Sequence, residues 1–87
     1  MFFVYILQSK KDNTYYIGYT KDIVERVKTH NAGKVRYTKG HTPYVLVYSE
    51  THDNVTEAKK REKAIKSLNN TAYFLKKQVG SPDGTYY

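Results

Sequence analysis

The chain has 87 residues, a net charge of +7 and no cysteine, so it offers neither a disulfide framework nor a thiolate zinc site. The missing cysteines fit a reducing cytoplasm, which is where we expect the protein to be. Fifteen lysines and arginines indicate a polyanionic partner, and nucleic acid is the commonest partner of this kind.

The first two predicted elements form a β-hairpin. Residues 2–7 are an unbroken run of β-branched and aromatic side chains, which predicts a strand buried on both faces. The run is far too short to cross a membrane, so we expect no membrane partner. Residues 10–13 have turn composition, so strands at 2–9 and 14–20 should pair in antiparallel fashion.

The hairpin loop also fixes a register. If residues 10–13 are the whole loop, Leu7 lies opposite Tyr16 and Tyr5 lies opposite Gly18. Tyr5 and Tyr16 are then diagonal neighbours on one face of the sheet, about 7–8 Å apart. A slip of one residue would put the two tyrosines on opposite faces.

A helix is predicted from about residue 22 to residue 31. Asp22 has the side chain of an N-cap and is followed three residues later by an acid. Gly33 suits the left-handed residue that ends a helix. Arg26 and His30 are four residues apart and therefore neighbours on one face. These two side chains belong either to a site or to a solvated basic surface.

After a basic loop at 33–43, an apolar stretch predicts a third strand at 44–49. A second helix should start at Asp53 or Asn54. A short third helix is predicted at 71–78.

We expect a single domain at residues 1–79, followed by a flexible tail at 80–87 that is rich in glycine and polar residues.

The apolar stripe of the second helix runs through a glutamate. Val55, Ala58, Ile65 and Leu68 follow the helical period, and Glu62 falls on the same stripe. A buried carboxylate without a partner is costly, so Glu62 needs a cation, a metal ion or hydrogen bonds. The alternative to a metal site is an ion pair with one of three cations: Lys59, Lys66 or Arg26.

The positive charge is clustered. Residues 21–39 carry six cations against two anions, and residues 59–66 carry five against one. Four cations of the first cluster are candidates for contacts to a nucleic-acid backbone: Lys21, Lys34, Arg36 and Lys39. The alternative is that these side chains are simply solvated.

The ordered set of motifs resembles the GIY-YIG nuclease superfamily, most closely its small stand-alone bacterial members. The family pattern runs V-Y-x-L, Y-x-G-x-T, R, H-N-x-G, Y-T-x-G, P, L-V-Y and A-x-x-x-E-x-x-I-K. The matching positions are Val4-Tyr5-Leu7, Tyr16-Gly18-Thr20, Arg26, His30-Asn31-Gly33, Tyr37-Thr38-Gly40, Pro43, Leu46-Val47-Tyr48 and Ala58-Glu62-Ile65-Lys66. Phe3 and Val4 replace the first Gly and Ile of the family name.

The resemblance implies an α+β fold, with a three-stranded antiparallel sheet flanked by helices. It also implies metal-assisted hydrolysis of DNA phosphodiester bonds with low sequence specificity, as used in DNA repair or recombination. Glu62 would hold a single Mg²⁺ or Mn²⁺ ion. Arg26 would clamp the phosphate and stabilise the charge of the transition state.

Three further side chains take roles by resemblance. Tyr5 would be the general base or would orient the attacking water, and Tyr16 would orient the water or a phosphate oxygen. A tyrosine with an ordinary pKa of about 10 is a poor base at neutral pH. Tyr5 would therefore need nearby cations to lower its pKa, or a proton relay through His30. Either Tyr5 or His30 is the final proton acceptor.

Two family positions differ in this chain. Tyr19 stands where relatives in excision repair have a lysine, and Phe74 stands near the place of a family asparagine. Asn69 and Asn70 come too early to match it. These losses favour an alternative function, a nucleic-acid-binding module with little or no cleavage. A third hypothesis is an adaptor whose protein partner supplies specificity.

Overall fold

The computed structural model describes residues 1–79. The predicted tail at 80–87 lies outside the described residues. The elements are β1 (Phe2–Ser9), β2 (Tyr15–Thr20), α1 (Ile23–Asn31), a short 3-10 helix (Lys39–His41), β3 (Tyr44–His52), α2 (Val55–Ser67) and α3 (Thr71–Val79). Within residues 1–79, no helix is both long and apolar enough to cross a membrane.

The three strands form an antiparallel sheet in the order β2-β1-β3. As the central strand, β1 is covered on both faces, which explains its unbroken apolar run. The predicted hairpin register is confirmed: Tyr5 pairs with Gly18 and Leu7 pairs with Tyr16.

Alternating side chains of β1 build two clusters. Val4 and Ile6 pack on one face with α2 and α3, and Tyr5 and Leu7 pack on the other face with Tyr44 and part of α1. Helix residues buried in the first cluster are Ala58, Ile65, Phe74 and Leu75. The first cluster is called the aliphatic core, because its buried members are aliphatic except for Phe74, although Tyr15, Tyr19 and Tyr48 pack against it. The second is called the tyrosine-rich face, because it is built on Tyr5, Tyr16 and Tyr44.

The helix ends follow the predicted capping chemistry. The side chain of Asp22 accepts a hydrogen bond from the Glu25 amide at 3.1 Å, and α2 starts in the same way after Asn54. Gly33 has a φ of +74°, the left-handed conformation that ends α1. These caps set where Arg26 and His30 lie on α1.

Two elements extend further than predicted. The third strand continues to His52 instead of ending at residue 49, and α3 ends at Val79. The 3-10 helix in the basic loop was not predicted. Leu68, predicted on the apolar stripe, is 55% exposed because α2 ends at Ser67 and Leu68 is its C-cap.

The basic loop at 33–43 is tied to the sheet at both ends. Asn31 clamps the start of β3: its Nδ2 donates to the Tyr44 carbonyl at 3.1 Å and its Oδ1 accepts from the Tyr44 amide at 2.7 Å. The buried Ser9 hydroxyl donates to the His41 carbonyl, and His41 also contacts Asp12. The loop is thereby held against the tyrosine-rich face.

Candidate active site

Tyr5 lies at the centre of the tyrosine-rich face, almost fully buried. Its phenol crosses over Gly18, the residue paired with it on β2. A Cβ atom at position 18 would lie 2.7 Å from the Tyr5 hydroxyl, so only glycine lets the ring take this position. The glycine therefore sets where the Tyr5 hydroxyl points.

The Tyr5 hydroxyl connects the two predicted side chains of α1. Arg26 Nε donates to it at 3.4 Å, and His30 Nε2 lies 3.0 Å from it. Because Arg26 and His30 are one helical turn apart, both reach the same phenol. The structure thus brings three predicted site residues into one hydrogen-bonded group.

Thr38 lies where its hydroxyl can set the tautomer of the buried His30. Its hydroxyl lies 2.8 Å from His30 Nδ1 and 3.4 Å from the Val35 carbonyl. If the hydroxyl donates to Val35, it accepts the Nδ1 proton, and Nε2 is left as the acceptor for the Tyr5 hydroxyl. In this arrangement each of the four donors has an acceptor: Arg26 donates to Tyr5, Tyr5 to His30, His30 to Thr38, and Thr38 to the Val35 carbonyl.

The pKa values of this pair move apart. Burial raises the pKa of Tyr5 to about 12, against the lowering effect of the hydrogen bond from Arg26. Burial and the positive charge of Arg26 lower the pKa of His30 to about 4. The nearby cations therefore do not turn Tyr5 into a phenolate at neutral pH. Of the two routes open from the sequence, the geometry favours the relay to a neutral His30.

Tyr16 extends the cluster toward solvent. Its ring centroid lies 6.3 Å from that of Tyr5 and 4.7 Å from that of His30. Its ring also contacts that of Tyr37, with the centroids 5.8 Å apart. Tyr16 therefore joins the buried hydrogen-bonded group to the exposed part of the basic loop.

Glu62 approaches the cluster from α2. Its side chain is only 16% exposed, and its Oε1 lies 2.8 Å from Lys66 Nζ, one of the three ion pairs predicted as the alternative. Its negative charge contributes to the raised pKa of Tyr5, after the larger effects of burial and neighbouring groups. The charge of Glu62 is thus close enough to Tyr5 to affect the pKa of its hydroxyl.

The donor set suits one hydrated ion of the Mg²⁺ type. No group of three or more His, Cys, Asp or Glu side chains that could hold a metal ion lies within the described part of the chain. Mg²⁺ is commonly held by one or two carboxylates, keeps several waters and takes phosphate oxygens from the substrate. The largely buried Glu62 could be the one carboxylate that such an ion needs. Lys66 would then have to share that carboxylate with the ion or give up its ion pair.

The four cations predicted to contact a nucleic-acid backbone are not among the hydrogen-bonded residues around Tyr5. Lys21, Lys34, Arg36 and Lys39 are all exposed. Lys21 Nζ lies 5.5 Å from the centroid of the Phe2 ring, at the start of β1. Their contact with nucleic acid stays a prediction.

The positions that differ from the family have structural roles. Tyr19 packs against the aliphatic core, and Phe74 is buried there with its ring edge-on to Tyr48. Asn70 caps α3 by accepting from the Tyr73 amide at 3.0 Å, and Asn69 has a left-handed φ of +55°. None of them takes the place of the family lysine or asparagine.

Thr38 is the residue that sequence reasoning missed. Its only signal was its place in the Y-T-x-G motif, eight residues after His30. We expect Thr38→Val to lower the free energy of unfolding by about 1–3 kcal/mol, because the buried His30 Nδ1–H loses its acceptor. Thr38→Ser keeps the hydroxyl and should cost about 1 kcal/mol. Equal losses in urea unfolding of the two variants would contradict this role.

His30 should also make stability depend on pH. The folded chain binds this proton only near pH 4, whereas an unfolded histidine binds it near pH 6.5. As the pH falls from 6.5 toward 4, the free energy of unfolding therefore decreases, by about 3 kcal/mol once the pH is below both pKa values. Urea unfolding across this window measures the slope. The difference between native chain and His30→Gln isolates His30 from the other two histidines, and identical slopes would refute the prediction.

Comparison with known proteins supports the motif match. A family model described as the GIY-YIG catalytic domain matches residues 1–77. A UPF0213 protein of Halobacterium salinarum is 46% identical over 69 residues, which are 78% of this chain and 88% of the relative. A UPF0213 protein of Staphylococcus haemolyticus is 48% identical over 67 residues, which are 76% and 80% of the two chains.

A solved structure resembles this fold as well. The solution NMR structure of a UPF0213 protein from Bacillus halodurans superposes with a TM-score of 0.58 at 36% identity. The superposition covers 97% of this chain and 92% of that one.

Proposed function

The chain belongs to the GIY-YIG domain family, and on that basis we propose that it is a divalent-metal-dependent DNA endonuclease. The observation that carries the proposal is the position of the Tyr5 hydroxyl, which accepts from Arg26 at 3.4 Å and lies 3.0 Å from His30 Nε2. A phosphate bound at Arg26 would lie beside the hydroxyl of Tyr5, from which the proton path to His30 starts.

Arg26 supplies the fixed positive charge. Its hydrogen bond to Tyr5 raises the pKa of Arg26, which favours the cationic form. A guanidinium that touches phosphate oxygens offsets the negative charge that grows as water attacks phosphorus. One N–H group of Arg26 holds Tyr5, and its remaining donors serve the phosphate.

Tyr5 and His30 move the proton. As the water oxygen bonds to phosphorus, its proton passes to the Tyr5 oxygen while the Tyr5 proton passes to His30 Nε2. One P–O ester bond breaks, and the departing oxygen takes a proton from solvent. Burial and the charge of Arg26 disfavour the imidazolium that forms, but the phosphate brings negative charge that offsets it.

Glu62 is the proposed metal ligand. A bound Mg²⁺ or Mn²⁺ ion would polarise the phosphate and stabilise negative charge on its oxygens. A single carboxylate holds such an ion weakly, so its occupancy should depend on the substrate phosphate. In its absence, the ion pair with Lys66 satisfies the buried charge.

The proposal includes low sequence specificity of cutting. It places the protein in the cytoplasm and in DNA repair or recombination. A protein partner that supplies specificity stays a prediction that no observation on this chain tests.

Incision of labelled DNA tests the proposal. Single-stranded, duplex and branched DNA are incubated with the chain and Mg²⁺ or Mn²⁺, and in parallel with EDTA. We expect strand cutting of at least one of these DNAs with metal and none with EDTA. Absence of cutting of every DNA, at protein concentrations that saturate binding, would refute the nuclease function.

The alternative is a binding module without cleavage. Two residues favour this alternative. Tyr19 stands in place of a family lysine, and Phe74 stands near the place of a family asparagine. Both are aromatic side chains packed against the core. Under this alternative the basic surface binds DNA, with an affinity that falls steeply as salt is raised, and metal has no effect. Binding without cutting in the incision assay would select it.

A further inference from the structure

A cavity of about 470 Å³ opens beside the proposed active site. It is lined by three tyrosines, one isoleucine and one lysine: Tyr15, Tyr16, Tyr37, Ile17 and Lys66. The volume falls in the range of roughly 300–1,000 Å³ that is typical of small-ligand sites. It lies along β2, an edge strand, and is open to solvent on that side.

One wall of the cavity is an aromatic surface that the fold leaves uncovered. Tyr37 is 72% exposed, although the next residue, Thr38, is fully buried beneath it. Its ring is tilted 45° to that of Tyr16. Apart from this contact with Tyr16, the ring of Tyr37 is largely open to solvent, and an exposed aromatic ring is the kind of surface on which a nucleobase stacks.

The cavity is continuous with the catalytic cluster. Tyr16 forms one wall and also lies 4.7 Å, ring to ring, from His30. Lys66 forms another wall and contacts Glu62. A ligand in the cavity therefore meets π-faces on one side and a positive charge at the boundary with the phosphate site, which are the two recognition features of a nucleotide.

We propose that this cavity binds the base of one unpaired nucleotide of the DNA strand being cut, stacked on Tyr37, with Lys66 near its phosphate. The inference rests on the proposed function, because it takes the neighbouring phosphate to be the one that is hydrolysed. A base inside a duplex is stacked and paired, so it cannot enter without being extruded. The cavity therefore selects single strands, flaps and unpaired junction residues over intact duplex.

Base binding can be separated from phosphate binding. In EDTA, where no cutting occurs, the affinity of a short labelled oligothymidine is compared with that of an abasic strand of the same length. The ratio of the two affinities measures the contribution of the bases. We expect a ratio of about ten or more for the native chain, from stacking on one aromatic ring.

Substitution of Tyr37 locates that contribution. Tyr37→Ala should bring the ratio close to one, and Tyr37→Phe should keep it, because phenylalanine preserves the π-face. Tyr73→Ala is the matched control: Tyr73 is also exposed, at 56%, but lies on α3 in a different groove. An unchanged ratio in Tyr37→Ala, or an equal fall in Tyr73→Ala, would overturn the proposal.

Failure of this inference is distinct from failure of the nuclease function. Metal-dependent cutting of intact duplex that is unaffected by Tyr37→Ala would refute the base cavity and leave the nuclease function in place. A base contribution that depends on Tyr37, without cutting in any metal, would refute the nuclease function while the cavity still binds a base.

Discussion

Glu62→Gln is expected to reduce metal-dependent DNA cutting to background, a loss of about a thousand-fold or more. Glutamine has the size of glutamate and can still accept from Lys66, so the fold should be kept. It has no negative charge, and a neutral amide oxygen is a much weaker ligand for Mg²⁺ than a carboxylate. Cutting rates at saturating protein, with DNA affinity measured in parallel, separate catalysis from binding.

DNA affinity should stay the same or increase in Glu62→Gln, since a negative charge close to the phosphates is removed. Glu57→Gln is the matched control, because Glu57 is an exposed carboxylate on the same helix, in its first turn. It should leave cutting unchanged. Full cutting by Glu62→Gln, or equal losses in the two variants, would mean that Glu62 is only the partner of Lys66.

Tyr5→Phe is the second variant with a large expected effect. It removes the hydroxyl that joins Arg26 to His30 and leaves the ring in place over Gly18. Loss of a positioned proton-transfer group costs about a hundred-fold or more in rate. The variant should also unfold more easily, by about 1–3 kcal/mol, because the buried His30 Nε2 loses its donor.

Tyr44→Phe controls for the loss of a buried phenol. Tyr44 is buried in the same tyrosine-rich cluster, and its ring lies edge-on to His30 at 6.1 Å. Single-turnover cutting rates and urea unfolding of both variants give the comparison. If Tyr5→Phe cuts as fast as Tyr44→Phe, the relay from Tyr5 to His30 is not part of the reaction.

Much of the fold could be predicted from local chemistry. A four-residue turn fixed the hairpin register, and with it the shared face of Tyr5 and Tyr16. The caps at Asp22 and Asn54 fixed the starts of two helices. The ends of elements were less predictable: Leu68 fits the apolar period but lies where α2 stops, so its position depends on the turn that follows.

The closeness of some candidate site residues could be predicted, but most of the hydrogen bonds among them could not. Spacing of four residues placed Arg26 and His30 together, because helix geometry is local. The partner of His30 Nδ1 is Thr38, brought there by a loop whose path depends on ties to Ser9 and Asp12. The raised pKa of Tyr5 likewise depends on burial between a sheet and a helix, which no pattern of residues encodes locally.

We propose that one divalent ion at Glu62 works with Arg26, Tyr5 and His30 to cut DNA. The most direct test is the cutting rate of the native chain as Mn²⁺ is titrated into protein and DNA cleared of metal by EDTA. We predict no cutting without the ion, a rise that saturates as expected for a single site, and reversal when EDTA is added again. Cutting that persists in EDTA, or no cutting at any Mn²⁺ concentration while DNA stays bound, would contradict the claim.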